Sequence, residues 1–119
     1  MRLLKFRVWN KVSKKMHNPQ AISFDIQSCD PFAVSIPGKS WDPVGKYELL
    51  QWTGLTDADG LDVYEADLVL ISSEVYKVHW NEAQATFELN ALGSSSQKDV
   101  RVIPSLGKVI GNMYQNENI

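Results

Sequence analysis

The sequence predicts an all-β protein: a small, partly open barrel of the Src-homology-3 type, carrying an N-terminal β-hairpin element. Three observations lead there. Short runs of two-residue alternation recur about every ten residues, each closed by turn residues. Val, Ile, Thr, Tyr, Trp and Phe, the types that suit a pleated half-buried surface, fill those runs. No stretch keeps a helical period for more than about one turn. With 119 residues, 44% hydrophobic and 22% charged, the chain has an ordinary globular composition. That length suits a single core burying about two-thirds of the unfolded surface.

Residues 3–10 alternate, with Leu4, Phe6 and Val8 on one side and Lys5, Arg7 and Trp9 on the other. This predicts a half-buried strand with one wet face, and its terminal position makes it a candidate sheet edge. Asn10 to Lys15 reads as a polar turn, and Ala21–Gln27 as a second strand completing a hairpin or meander with the first. From Ser28 to Gly45 the pattern dissolves. Pro31, Pro37 and Pro43 each remove a backbone donor, so the stretch predicts an excursion between units 1–46 and 47–119. Within it Val34–Ile36 can form a short edge strand, and Trp41 reads as a ring packed onto the barrel.

Leu49 to Leu70 is the centre of the barrel. Leu49, Gln51 and Thr53 alternate with Leu50 and Trp52, and Leu68–Ile71 is an unbroken apolar run suited to a strand covered on both faces. Between them Asp59-Gly60 predicts a turn with positive φ at the glycine. Asp57 and Asp59 can bend their carboxylates onto backbone N–H groups of that turn, and Asp67 onto those at the mouth of the next strand. Asp62–Asp67 offers the best chance of a short helix. Val75–Trp80 and Ala85–Leu89 follow as paired strands, with Gly93–Ser96 a flexible tip. Val100–Ile103 and Lys108–Tyr114 supply the last strands, broken at Pro104. The apolar phases place Trp52, Val69, Val78, Trp80, Phe87 and Ile110 in one buried cluster.

The middle stretch has the order Q-x-T-G-L-x-D-x-x-G and then Y-E-x-D-L-V. Near the N-terminus stands Lys5-Phe6-Arg7-Val8-Trp9, and near the C-terminus Val109-Ile110-Gly111-Asn112-Met113-Tyr114-Gln115-Asn116. In these three ordered stretches the chain resembles the YopX family of bacteriophage and prophage proteins. The resemblance implies a small β protein encoded in a mobile genome, and no defined activity. One position departs: Ala66 stands where the family has Gly before the Asp of Y-E-G-D. An alanine there predicts a more ordinary bend in this chain.

Net charge is −2 and the pI near 5.6, which disfavours a general polyanion binder. The mean hides an asymmetry. Six of the twelve basic residues precede His17 with no acid among them, beginning at Arg2; seven of the fourteen acids lie between Asp42 and Asp67. Cys29 is alone, which excludes an internal disulfide and a thiolate zinc site within one chain. It favours a reducing compartment. With no signal-peptide core and no apolar run near the ~20 residues of a span, the expectation is a cytoplasmic protein of the bacterial host, without membrane contact.

No cofactor, metal or catalytic set is expected. Counted from Asp57, a calcium loop would need an acid where Leu61 stands and a glutamate where Leu68 stands. Glu65 with Asp67 is the only carboxylate pair near a strand mouth, and a hydrolase built on it is the weakest reading. His17, His79 and Cys29 have no evident partners for nucleophilic work. The leading reading is a non-enzymatic accessory protein acting through protein contacts, as a homo-oligomer or with an unidentified phage or host protein. Candidate contact residues are Lys5, Arg7, Trp9 and Trp41, with the basic strand of one copy meeting the acidic turn of another. The alternative is a nucleic-acid-binding module, since two cations and a stacking ring share that strand face. Asp57, Asp59, Gly60 and Asp67 are read as turn-forming residues.

Overall fold

The computed structural model describes residues 3–115. Arg2 of the basic run and Asn116 of the C-terminal stretch lie outside them. The chain is all-β. Its strands are β1 (Phe6–Asn10), β2 (Lys15–His17), β3 (Ala21–Phe24), β4 (Pro31–Ser35), β5 (Asp42–Pro43) and β6 (Tyr47–Thr56). They continue with β7 (Asp62–Tyr64), β8 (Asp67–Ile71), β9 (Glu74–Asn81), β10 (Thr86–Ala91), β11 (Gln97–Asp99) and β12 (Lys108–Asn112). A single-turn helix, α1 (Ile103–Leu106), precedes the last strand. Two compact units divide the chain: Lys5–Leu50, and a second made of Gln51 onward with the residues before Lys5.

In the N-terminal unit β1 forms a hairpin with β2, pairing Val8 with His17 and Trp9 with Met16. The turn forms because Asn10 bends back on it: its side-chain oxygen accepts from the Val12 N–H at 2.9 Å and the Ser13 N–H at 3.0 Å. β1 lies between β2 and β6, so it is an interior strand and not the free edge expected of it. Its wet face is also absent. Val8, Trp9 and Asn10 are all buried, so both faces of this end of β1 are covered. Ala21–Phe24 does not join that hairpin; it pairs with β4, and β5 closes a separate three-stranded sheet in the order β3-β4-β5. The excursion is therefore largely strand, and Val34, expected on an edge, sits on the central strand. The unit's core is Val8, Val34, Ile36 and Tyr47.

In the C-terminal unit β6 pairs with β7, and five strands run antiparallel in the order β11-β10-β9-β8-β12. This sheet curls into half a barrel. β8 is its doubly covered strand: Leu68 and Val69, on opposite faces, are both fully buried. Val63, Val69, Tyr76, Val78, Leu89 and Ile103 form the centre of the core. Two stretches differ from the sequence expectation. Val100–Ile103 is a 3-10 turn running into α1, since Pro104 suits a first helical turn, where its missing N–H has no partner to lose. Asp62–Tyr64 is a strand, and no helix forms in it.

Candidate functional site

Two places concentrate unusual chemistry, both in the C-terminal unit. The first is the acidic turn between β6 and β7. Asp57 is 3% exposed, and its carboxylate is consumed by backbone donors. Oδ1 accepts from the Asp59 and Leu61 N–H groups, each at 2.9 Å, and Oδ2 from the Val109 N–H at 2.9 Å. Burial pushes this carboxyl up, but the N–H donors of Val109, Leu61, Asp59 and Gly60 outweigh it and hold the group below the ordinary carboxylate range. Gly60 has φ +85°, the positive turn angle expected of it. Asp59 points outward, its carboxylate 4.0 Å from the Lys108 ammonium. Asp67 is buried and accepts from the Tyr64 N–H at 2.8 Å, closing the turn from β7 into β8. Ala66 does not relax that bend. Its φ is +70°, because its N–H is tied to the Val78 carbonyl and its own carbonyl accepts from Met113 N–H. This cluster is structural: it locks the turn onto β12. Among the described residues no group of three or more His, Cys, Asp or Glu side chains is placed to hold a metal ion.

The second place is a groove of about 630 Å³ on the C-terminal unit, lined by Trp52, Leu55, Trp80, Phe87, Val100 and Arg101 among others. Phe87 and Trp80 are register partners across β9 and β10, and their rings meet edge-on at 4.9 Å with a 64° interplanar angle. Trp52 is fixed by its indole N–H, which donates to the Leu55 carbonyl at 3.0 Å. Arg101 stands at the rim but is already bound. Its guanidinium clasps Asp99 through Nε, 3.0 Å from each carboxylate oxygen, and through Nη2. That grip, with the Arg101 backbone N–H, pulls the Asp99 carboxyl down to about 2. The groove is thus an aromatic slot of mixed polarity, with Gln51, Thr53 and Thr86 beside the rings, and the one cation that lines it among the described residues is neutralised.

The sequence expectation placed Trp52, Trp80, Phe87 and Ile110 in the core with Val69 and Val78. Only the two valines are fully buried; Trp52 and Phe87 are half-buried, Trp80 is 37% exposed and Ile110 44%. Alternation gave the face correctly for Trp80, which follows Tyr76 and Val78 on one side of β9. It does not report that the core ends at Val78, one turn of pleat before the strand does. Two large rings at strand ends beside the 82–85 turn, Trp80 and Phe87, were the available signal. Of the candidate contact residues, Lys5 and Arg7 are half-buried and Trp9 is buried at 3%. Trp9 is a core ring and displays no stacking face. Trp41 is 54% exposed.

An all-β chain with a curled antiparallel half-barrel and a solvent-open aromatic groove is the class this architecture defines. The sequence matches the YopX protein family over residues 5–119, and the chain belongs to that family. Its fold is similar to the crystal structure of protein EF1440 from Enterococcus faecalis, with a TM-score of 0.75 at 20% identity, covering 99% of this chain and 98% of that one. It is also similar to the crystal structure of protein yopX from Bacillus subtilis, with a TM-score of 0.60 at 20% identity, covering 96% and 93%. No curated protein matches the sequence. Among the described residues no helix is long and apolar enough to cross a membrane.

Proposed function

We propose that this YopX-family chain is a non-enzymatic accessory module, encoded by a phage or prophage and working in the bacterial cytoplasm. It acts through protein contacts and assembles with copies of itself. The observation that carries this is the aromatic groove. Rings that would strengthen the core are instead left at a solvent-open slot, at the sheet end where a partner can reach them. The buried carboxylates of this unit, Asp57 and Asp67, are bonded to backbone and serve the turns. A nucleic-acid reading draws less support. Trp9 is withdrawn into the core, and the described rim cation of the groove, Arg101, is held by Asp99. Light scattering coupled to gel filtration at tens of micromolar tests the proposal. A defined oligomer mass is expected, whereas a monomer mass together with salt-dependent retention on DNA or RNA would transfer the function to the nucleic-acid alternative.

A further inference from the structure

Resting on that reading of a self-assembling module, we infer that the loop between β4 and β5 of one copy seats Trp41 in the Trp52–Trp80–Phe87 groove of a second copy. The loop is built for display. Pro37 and Pro43 bracket it, and its stem is held by pairing of Ala33 with Pro43 and Val34 with Asp42. Within it the Lys39 N–H donates to the Ile36 carbonyl at 3.1 Å. The residue after Trp41 is anchored as well: the Asp42 carboxylate accepts from the Tyr47 hydroxyl at 2.8 Å, and Tyr47 belongs to the N-terminal core. A half-exposed indole on a clamped stem loses little freedom on docking. The turn at Pro37-Gly38, with Gly38 at φ +84°, fixes the loop's bend before any contact is made.

Charge selects the same partner. Between Lys5 and Leu50 there are seven cations and four acids; between Gln51 and Gln115 there are four cations and nine acids. The loop's own acid is offset, since Asp42 lies 4.0 Å from both the Lys39 and Lys46 ammonium groups. A basic unit carrying an exposed tryptophan and an acidic unit carrying an aromatic slot are complementary between copies. Like units set against each other would repel. The contact joins two different patches, so it is heterologous, and every copy offers one loop and one groove. Such contacts close into rings or extend as filaments.

The test uses full-length chains with one half of the contact removed from each. Trp41→Ala keeps the groove, and Trp80→Ser keeps the loop. Alone, each is expected to run as a monomer at concentrations where the wild-type chain is oligomeric, with affinity down at least about thirty-fold, as for loss of a central aromatic anchor. Mixed in equal amounts, the two are expected to form a 1:1 heterodimer and nothing larger. An oligomer that survives Trp41→Ala, or a mixture that stays monomeric, overturns the inference while leaving self-assembly by another surface standing. A monomeric wild-type chain overturns both. Should Trp80→Ser fail to fold, a peptide spanning residues 36–43 is titrated into the Trp41→Ala chain. Saturable binding that its alanine counterpart lacks supports the contact. No binding, or displacement by an oligothymidine that occupies the groove instead, ends it.

Discussion

Replacing Asp57 separates a structural carboxylate from an idle one, and its environment sets the size of the effect. Three backbone N–H groups converge on its two oxygens, two from the turn itself and one from Val109 on β12. Hydrogen bonds to a charged acceptor contribute about 1.5–3 kcal/mol each, though partners in one cluster do not add. In Asp57→Asn the amide oxygen keeps the two turn donors, and the amide nitrogen faces the Val109 N–H, donor against donor. The expected loss is about 2–3 kcal/mol, rising to about 3–5 kcal/mol in Asp57→Ala, where all three donors lose their acceptor. Urea unfolding followed by tryptophan fluorescence resolves this: at about 1–3 kcal/mol per molar, the asparagine variant's midpoint should fall by about 1–2 M at pH 7. The pH dependence has a fixed sign. The folded carboxyl is held below its unfolded value of about 3.9, so its contribution is present above pH 4 and is lost as pH falls through the folded value. The gap between the wild-type and asparagine curves should therefore narrow as pH falls below about 4. A variant within about 0.5 kcal/mol of wild type at pH 7, or a gap that fails to narrow at all as the protein is acidified, would refute the clamp.

Three further substitutions probe the same unit. A Cβ on Gly107 would stand 2.7 Å from Val69 Cγ1, in a fully buried and χ1-stiff valine, so Gly107→Ala should lose about 1–3 kcal/mol by overpacking; an unchanged melting midpoint would mean Val69 moves freely. Gly60 at φ +85° has open space around it, so Gly60→Ala meets only backbone strain and should lose about 1 kcal/mol in denaturant titration. At Ala66, φ +70°, glycine relieves about 1–2 kcal/mol of strain but gives up a buried methyl and gains unfolded-state freedom. Ala66→Gly should therefore sit within about 1 kcal/mol of wild type, while Ala66→Val should lose about 2 kcal/mol or more; equal stability of the two variants would show the bend is not left-handed in solution.

The parts of the fold that could be read from sequence are those where a local rule has no tertiary competitor. Asp59-Gly60 demanded a positive φ, and Leu68–Ile71 a strand covered on both faces, and both stand. Pairing could not be read in the same way: Ala21–Phe24 alternates equally well beside β1 or β4, and only the completed sheet decides. Alternation reports which side a residue faces, and is silent on how far the core extends along a strand. That is why Trp80 was expected inside, while Trp9, on the presumed wet face, lies in a core. The aromatic groove was therefore hidden among residues whose identities all argued for burial. Ala66 shows the opposite limit. Its residue type argued for an ordinary bend, yet hydrogen bonds to Val78 and Met113 on either side of it hold the left-handed angle.

The clamp at Asp57 also imposes an order on events during synthesis. Its Val109 partner is encoded 52 residues later. At about 5–20 residues per second the ribosome takes roughly 3–10 s to supply it. Throughout that interval the nascent chain holds a carboxylate that the finished core can bury only once β12 has arrived. Until then its Oδ2 has only water to accept from, while Oδ1 can already accept from the turn's own Asp59 and Leu61 N–H groups. The N-terminal core, by contrast, has its last residue by Tyr47. The first unit is thus free to settle while the second waits, and the aromatic groove is assembled only once Arg101 has been made. A nascent chain has its Trp41 loop seconds before it has a slot of its own, so the first grooves that loop can meet are those of completed neighbours.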